Sequence, residues 1–265
     1  MALTERALCE MARLLLSFAL KEESRAFQRL AVACADLHVL LTGIGKRNAE
    51  NAIRKALAEQ SPSLVLTCGF AGGLNPELAV GTVVFSVDEY LASPLNALPT
   101  PSQKVSDVFG QFPSCVGSGV GSVTQVFDLQ PDRLASVLVA AGARPAKFHC
   151  AERVAASAET KRALRLSTGA DAVEMESGIV RAICGQHKIP SATVRVISDD
   201  ANHDLPLDFN RLMDSDQNLR YGKLTAALLR SPGKIGTLLN FQKQTQAAAE
   251  KLAQVLVKVL ANVPS

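Results

Sequence analysis

Between Ala172 and Asp199 the chain reads AVEMESGIVRAICGQHKIPSATVRVISD. A short strand over Ala172–Glu174 leads into a helix over Ser177–His187. A β-branched run over Ala192–Ile197 follows and ends in Ser198-Asp199-Asp200. The alternation extends in both directions from this segment. Upstream, Arg13–Leu20 and His38–Thr42 read as strands, the second followed by Gly43-Ile44-Gly45. A helix over about Asn48–Glu59 carries Ala49, Ala52, Ile53, Ala56 and Leu57 on one face. Leu64–Cys68 reads as a strand ending in the turn Gly69-Phe70-Ala71-Gly72-Gly73, and Val80–Val87 as a further β-rich run. Leu91–Pro113 is a Pro- and Ser-rich excursion. A helix near Arg133–Ala141 and a strand near Lys147–Cys150 come next. Ser157 then caps a helix over Ala158–Leu166, and Gly169 closes it. Helices near Leu219–Leu229 and Leu238–Leu260, parted by Ser231-Pro232-Gly233, end the chain. This order predicts an α/β fold, a single three-layer α/β/α domain over residues 1–265 with a central mixed, largely parallel sheet. An extra helical insert falls near residues 205–234. In such sheets ligands gather at the carboxyl edges of the strands, where the glycine and acidic clusters lie.

Composition narrows the function classes. Of 265 residues 48% are hydrophobic and 20% charged, which excludes a disordered chain. Lys+Arg at 28 against Asp+Glu at 25 gives only +3, and with no Trp and two Tyr the chain lacks the signature of a nucleic-acid binder. Six scattered cysteines and four dispersed histidines form no C-x-x-C or H-E-x-x-H, so neither a metal site nor a cofactor is expected. The apolar stretch Leu14–Leu20 is too short to span a bilayer and lacks a cleavage pattern. A cytoplasmic enzyme-sized domain without stable membrane insertion is the expectation.

Two glycine clusters fail as nucleotide fingerprints. Gly43-Ile44-Gly45-Lys46 lacks the P-loop spacing, and Arg47 stands where Ser or Thr would bind magnesium. Gly117-Ser118-Gly119-Val120-Gly121 brings its third glycine one residue early for a dinucleotide turn. Gly69–Gly73 is more suggestive, because a stretch nearly free of side chains lets a ligand reach backbone amides. Taken singly, Glu174 and Glu176 suit a helix N-terminus, Asp199 and Asp200 suit a cap, and Glu22 and Glu23 suit a solvated face.

Four segments in this order change that assessment: Gly43–Lys46; Cys68–Leu74 with Val80–Val84; Ala172–Ser177; and Val194–Asp199. Together the chain resembles the nucleoside phosphorylase and nucleosidase superfamily, most closely its methylthioadenosine/S-adenosylhomocysteine nucleosidase branch, over Arg13–Asn202 and a final helix. The resemblance implies an N-ribosyl hydrolase cleaving the glycosidic bond of an adenine nucleoside that carries a modified 5′ group. Asp199 would protonate purine N7, and Glu23 would activate water, with Glu22 as its fallback. Glu176 would hold the ribose hydroxyls, Met175 would pack under the sugar, and Glu174 would support the water network. Phe70, Ala71 and Gly72 would border base and sugar, and Val154 and Ala155 would flank the purine. Its partners would be the small-molecule nucleoside and a second copy in a homodimer.

Two alternatives accompany this reading. A phosphate-dependent purine nucleoside phosphorylase is one; Lys161-Arg162-Ala163-Leu164 and Thr168-Gly169-Ala170 also resemble a hopanoid-associated phosphorylase-like subgroup, proposed to act on adenosylhopane. Phosphorylases of the superfamily carry an arginine on the strand before the glycines, where Thr67 stands here, which leaves Lys46 and Arg47 as the nearby cations. A catalytically silent nucleoside-binding module is the other alternative. It would need neither Glu23 nor Asp199. The insert, with Leu224 and Ala226–Leu229, reads either as an ordinary core-facing helix or as a cover over the 5′ side that favours a bulky apolar group.

Overall fold

A computed structural model describes residues 14–31, 37–87, 131–214 and 235–262. In chain order these form β1 (Leu14–Phe18), α1 (Lys21–Leu30), β2 (Leu37–Leu41), α2 (Lys46–Glu59), β3 (Leu64–Gly73) and β4 (Val83–Ser86). Next come α3 (Pro131–Ala141), β5 (Arg144–Pro145), β6 (Phe148–Cys150), α4 (Ala158–Thr168) and β7 (Ala172–Glu174). They are followed by α5 (Ser177–Gln186), β8 (Ser191–Asp199), α6 (Phe209–Leu212) and α7 (Ile235–Asn262).

The described strands form one mixed sheet in the order β2-β1-β3-β8-β4-β5, with β7 on the end of β3 and β6 beside β7. Pairings among β2, β1, β3 and β8 are parallel, whereas β4 runs antiparallel to β8, and β7 to β3. Side chains of a strand alternate between faces, and the two cores separate accordingly. Leu16 and Leu66 pack with Phe27, Leu138 and Leu252, from α1, α3 and α7. Their neighbours Leu15 and Val65 pack with Ile53, Val180 and Ile183, from α2 and α5. Helices therefore cover both faces of the sheet, the three layers expected of this alternation.

Local signals held where the chemistry was local. Ser157 caps α4, accepting a hydrogen bond from the Thr160 N–H at 3.1 Å, and Gly169 ends the helix in the left-handed region at φ 64°. One expectation is corrected. Gly69–Gly73 is not a turn but the continuation of β3. Gly69, Phe70 and Ala71 pair with Arg195, Val196 and Ile197, while Gly72 and Gly73 pair with Val173 and Ala172. Glycine breaks strands by default, but here partners on both sides supply the ladder that holds it extended. The excursion at Leu91–Pro113, the Gly117–Gly121 cluster and the Leu219–Leu229 helix lie outside the described residues. Among the described residues no helix is long and apolar enough to cross a membrane.

Candidate active site

The carboxyl ends of β1, β3 and β8 converge where α1 begins. At that junction the N–H of Leu20, which precedes α1, donates to Glu23 Oε2 at 2.9 Å, folding the side chain back over the helix start. The Phe70 N–H donates to Glu23 Oε1, also at 2.9 Å. Glu23 is thereby buried rather than solvated, while its neighbour Glu22 is exposed at the cavity rim. Burial raises the Glu23 carboxyl to about 7, against the opposing pull of the Arg195 guanidinium. Gly69 is what makes room for this pair. Its φ of +141° disfavours any side chain, and a Cβ there would sit 2.8 Å from both Glu23 Oε1 and Arg195 Nη1.

Arg195 is the hub of the buried charges. Its Nη2 donates to Glu174 Oε2 at 2.7 Å and to Glu176 Oε2 at 3.2 Å. Its Nη1 reaches the Cys68 carbonyl at 3.3 Å and the Phe70 carbonyl at 3.5 Å. Glu174 also accepts from the N–H groups of Glu176 and Ser177 and from the Ser177 hydroxyl. The guanidinium and these donors hold its carboxyl below the ordinary range although burial opposes them. Glu176 has fewer donors, the Gly45 N–H at 2.7 Å and Arg195, and burial raises it. Gly45, left-handed at φ 87°, thus turns its amide onto Glu176. That is the work of the Gly43-Ile44-Gly45 loop.

At the other end of the site, β8 gains one residue against β3. Ala71 pairs with Ile197, but Gly72 pairs with Asp199. A bulge re-aims the side chain beside it. The bulged Ser198 places its hydroxyl 2.6 Å from Asp199 Oδ1, and α7 secures the bulge through Gln244 Nε2, which donates to the Ser198 carbonyl at 2.9 Å. Asp199 Oδ2 lies 2.6 Å from Lys161 Nζ, and Lys161 is fully buried.

The carboxylates among these groups line one cavity of about 320 Å³, with Arg195 and Lys161 behind them. The structure brings every expected site residue to its wall: Asp199, Glu23, Glu176, Met175, Glu174, Phe70, Ala71, Gly72, Val154 and Ala155. Val154 contributes by its side of the wall only, because Asn210 accepts from its N–H at 3.0 Å and donates to its carbonyl at 2.9 Å. Leu205, Phe209 and Phe241 add an apolar side, the two rings 6.2 Å apart. Lys46 and Arg47 are exposed at the start of α2 and do not line the cavity, and Thr67 bonds Thr193 at 3.2 Å within the sheet. Arg195 and Lys161, which pair with the site's carboxylates, are residues to which sequence reading gave no role. The one signal was the charge of Arg195 inside an otherwise apolar strand. Among the described residues no group of three or more His, Cys, Asp or Glu could hold a metal ion.

A mostly parallel sheet whose strand ends gather three buried carboxylates, a buried guanidinium and an ion-paired aspartate around one cavity defines an enzyme of the nucleoside phosphorylase and nucleosidase class. The family model of the phosphorylase superfamily matches residues 19–261, and the chain belongs to that superfamily. Among curated relatives, a 5′-methylthioadenosine/S-adenosylhomocysteine nucleosidase of Tolumonas auensis is 28% identical over 196 residues, 71% of this chain and 79% of the relative. One from Shewanella sediminis is 26% identical over 183 residues, 69% of this chain and 76% of the relative. Among solved structures, the S-adenosylhomocysteine nucleosidase of Streptococcus pyogenes in complex with 5-methylthiotubericidin has a TM-score of 0.60 at 15% identity, covering 97% of this chain and 100% of its own. The futalosine hydrolase of Helicobacter pylori strain 26695 has a TM-score of 0.58 at 16% identity, covering 94% and 97%. These structures share the fold.

Proposed function

We propose that this protein is an N-ribosyl hydrolase that cleaves the glycosidic bond of an adenine nucleoside carrying a modified 5′ group. The observation that carries the reading is the pair Glu23 and Asp199, facing one cavity from stations three residues apart along β3: Gly69 beside Glu23 and Gly72 beside Asp199. Three strand residues span roughly 10 Å. That is the scale at which two carboxyl groups work from opposite sides of a glycosidic carbon with water between.

As the C1′–N9 bond lengthens, its electron pair passes into the purine and N7 takes a proton from the Asp199 side. Water adds to C1′ and gives its proton to Glu23. A carboxyl raised to about 7 accepts that proton near neutral pH better than an ordinary glutamate would. Glu176 presents an oxygen to the ribose hydroxyls, and Met175 underlies the sugar. The carboxylates around Arg195 outnumber its single positive charge, which favours a sugar that becomes cationic. Glu23 also disfavours phosphate at the nucleophile position, since a dianion there would meet its carboxylate while the guanidinium behind it, Arg195, is already paired with Glu174 and Glu176. Relatives named as methylthioadenosine/S-adenosylhomocysteine nucleosidases support the adenine and 5′ preferences. A homodimer, with the second copy completing the 5′ end, belongs to the same reading.

The reading is tested by base release from paired adenine and 6-oxopurine nucleosides, with hydroxyl or thioether 5′ groups, in phosphate-free buffer. Adenine release, fastest from a 5′-thioether substrate, is the expected result. Preference for the 6-oxopurine, or no release from any of them, would overturn it.

A further inference from the structure

Asp199 poses a chemical problem that the hydrolase reading leaves open. Its carboxylate is ion-paired, and an ion-paired carboxylate holds no proton to give to a leaving base. Two donors reach that carboxylate at 2.6 Å, the Ser198 hydroxyl on Oδ1 and Lys161 Nζ on Oδ2, and of the two the ammonium is much the stronger acid. The lysine is built in rather than incidental. It projects from α4, is 0% exposed, and directs its three N–H bonds at Asp199 Oδ2, the Asp200 carbonyl at 2.6 Å and the His203 carbonyl at 3.0 Å. Burying an ammonium is costly unless every donor is matched. Here all three are, and one of the three acceptors is the site's acid.

We propose that Lys161 is the positioning and proton-supplying residue behind Asp199, a role that rests on the N-ribosyl hydrolase reading above. A purine entering the cavity displaces water from the Asp199 side chain, which is 14% exposed. Loss of that solvation disfavours the separated charges against the neutral acid and amine. One proton crosses from Lys161 Nζ to the Asp199 carboxyl. It then passes from the carboxyl to N7 as the C1′–N9 electron pair enters the base. Asp199 ends as a carboxylate beside N7–H, and Lys161 ends as an amine whose two remaining N–H bonds stay on the carbonyls of Asp200 and His203. The proton that water leaves on Glu23 returns to Lys161 through solvent after the products depart, so the cycle closes with no net proton change.

The test compares two leaving groups on the same 5′-thioether ribosyl unit: adenine, which needs protonation, and 4-nitrophenolate, which does not. For Lys161→Met the expected result is a kcat on the adenine nucleoside at least about a hundredfold below wild type, the lower end of the range general acid catalysis spans. KM should change by less than threefold, and the nitrophenyl riboside should be cleaved within threefold of wild type. Asp199→Asn should show the same split, and the double variant should lose no more than Asp199→Asn alone. Lys161→Arg, which keeps the cation but does not release a proton, should lose adenine turnover while retaining the nitrophenyl reaction; it serves also where Lys161→Met fails to fold. Equal losses on both substrates would overturn the proposal in favour of a purely structural lysine. So would adenine turnover within threefold of wild type in either variant. A wild type that cleaves neither substrate would instead remove the hydrolase reading, and the lysine's role with it.

Discussion

At the scale of single residues, burial sets what each charge can do. Glu23 is the clearest case. Because burial raises its folded-state carboxyl from 4.5 to about 7, the folded protein binds this proton more tightly than the unfolded chain does. The stability contributed is therefore full below about 4.5 and declines as pH rises through about 7. Glu23→Gln removes that dependence. Its melting temperature relative to wild type is expected to climb between those two values and level off above, and a pH series of thermal melts checks it; a constant offset would contradict the burial argument. With Glu23 in the proposed role of activating water, kcat/KM of the wild type should rise with pH through about 7, and Glu23→Gln should lose nearly all turnover. Gly69 is the second case. A methyl group there meets Glu23 and Arg195 at 2.8 Å with a backbone φ of +141°. Gly69→Ala is expected to lower turnover at least about tenfold, on the order of the 1.4 kcal/mol per decade that a misplaced carboxylate and guanidinium must cost. Steady-state kinetics with a 5′-thioether adenine nucleoside would show it, and unchanged turnover would mean that the close fit at Gly69 is not needed.

At the scale of elements, α4 connects a local signal to the distant site. Ser157 holds its N-terminus and Gly169 its end, while Lys161 within it reaches across to Asp199. Ser157→Ala removes the cap and is expected to cost about 1 kcal/mol, a melting point lower by about 2–4 °C for a protein of this size. Calorimetry checks this, and no change would show that Thr160 finds another acceptor. The ends of α4 were readable because capping is chemistry between near neighbours. The strand-to-helix junction at Glu174–Ser177 was readable for the same reason. The length of β3 was not. Glycines at 69, 72 and 73 lower strand propensity, and their pairing partners at 172–173 and 195–199 are more than a hundred residues away in the chain or nearly so. Arg195 sits within an apolar strand, and nothing adjacent to it in sequence says that three carboxylates from α1 and the β7–α5 junction will gather there. Lys161 escaped for an equivalent reason, because its partner lies 38 positions onward on another element. What sequence carried well was residue type at strand ends; what it withheld was which charges face one another.

At the scale of the whole molecule, a largely parallel sheet with helices on both faces brings the carboxyl ends of β1, β3 and β8 to one edge, and the site follows from that topology. The long helix α7 closes the same edge: Phe241 and Thr245 line the cavity, and Gln244 holds the bulge that carries Asp199. In the proposed reading one carboxyl group meets a water molecule and another the base, with Arg195 committed to Glu174 and Glu176. Its central claim is that water, not phosphate, attacks the sugar. The direct measurement is the identity of the sugar product when a 5′-thioether adenine nucleoside is turned over with and without millimolar phosphate. The expected result is adenine and the free ribosyl sugar in both conditions, at the same rate. A ribosyl 1-phosphate product, or turnover that requires phosphate, would contradict it.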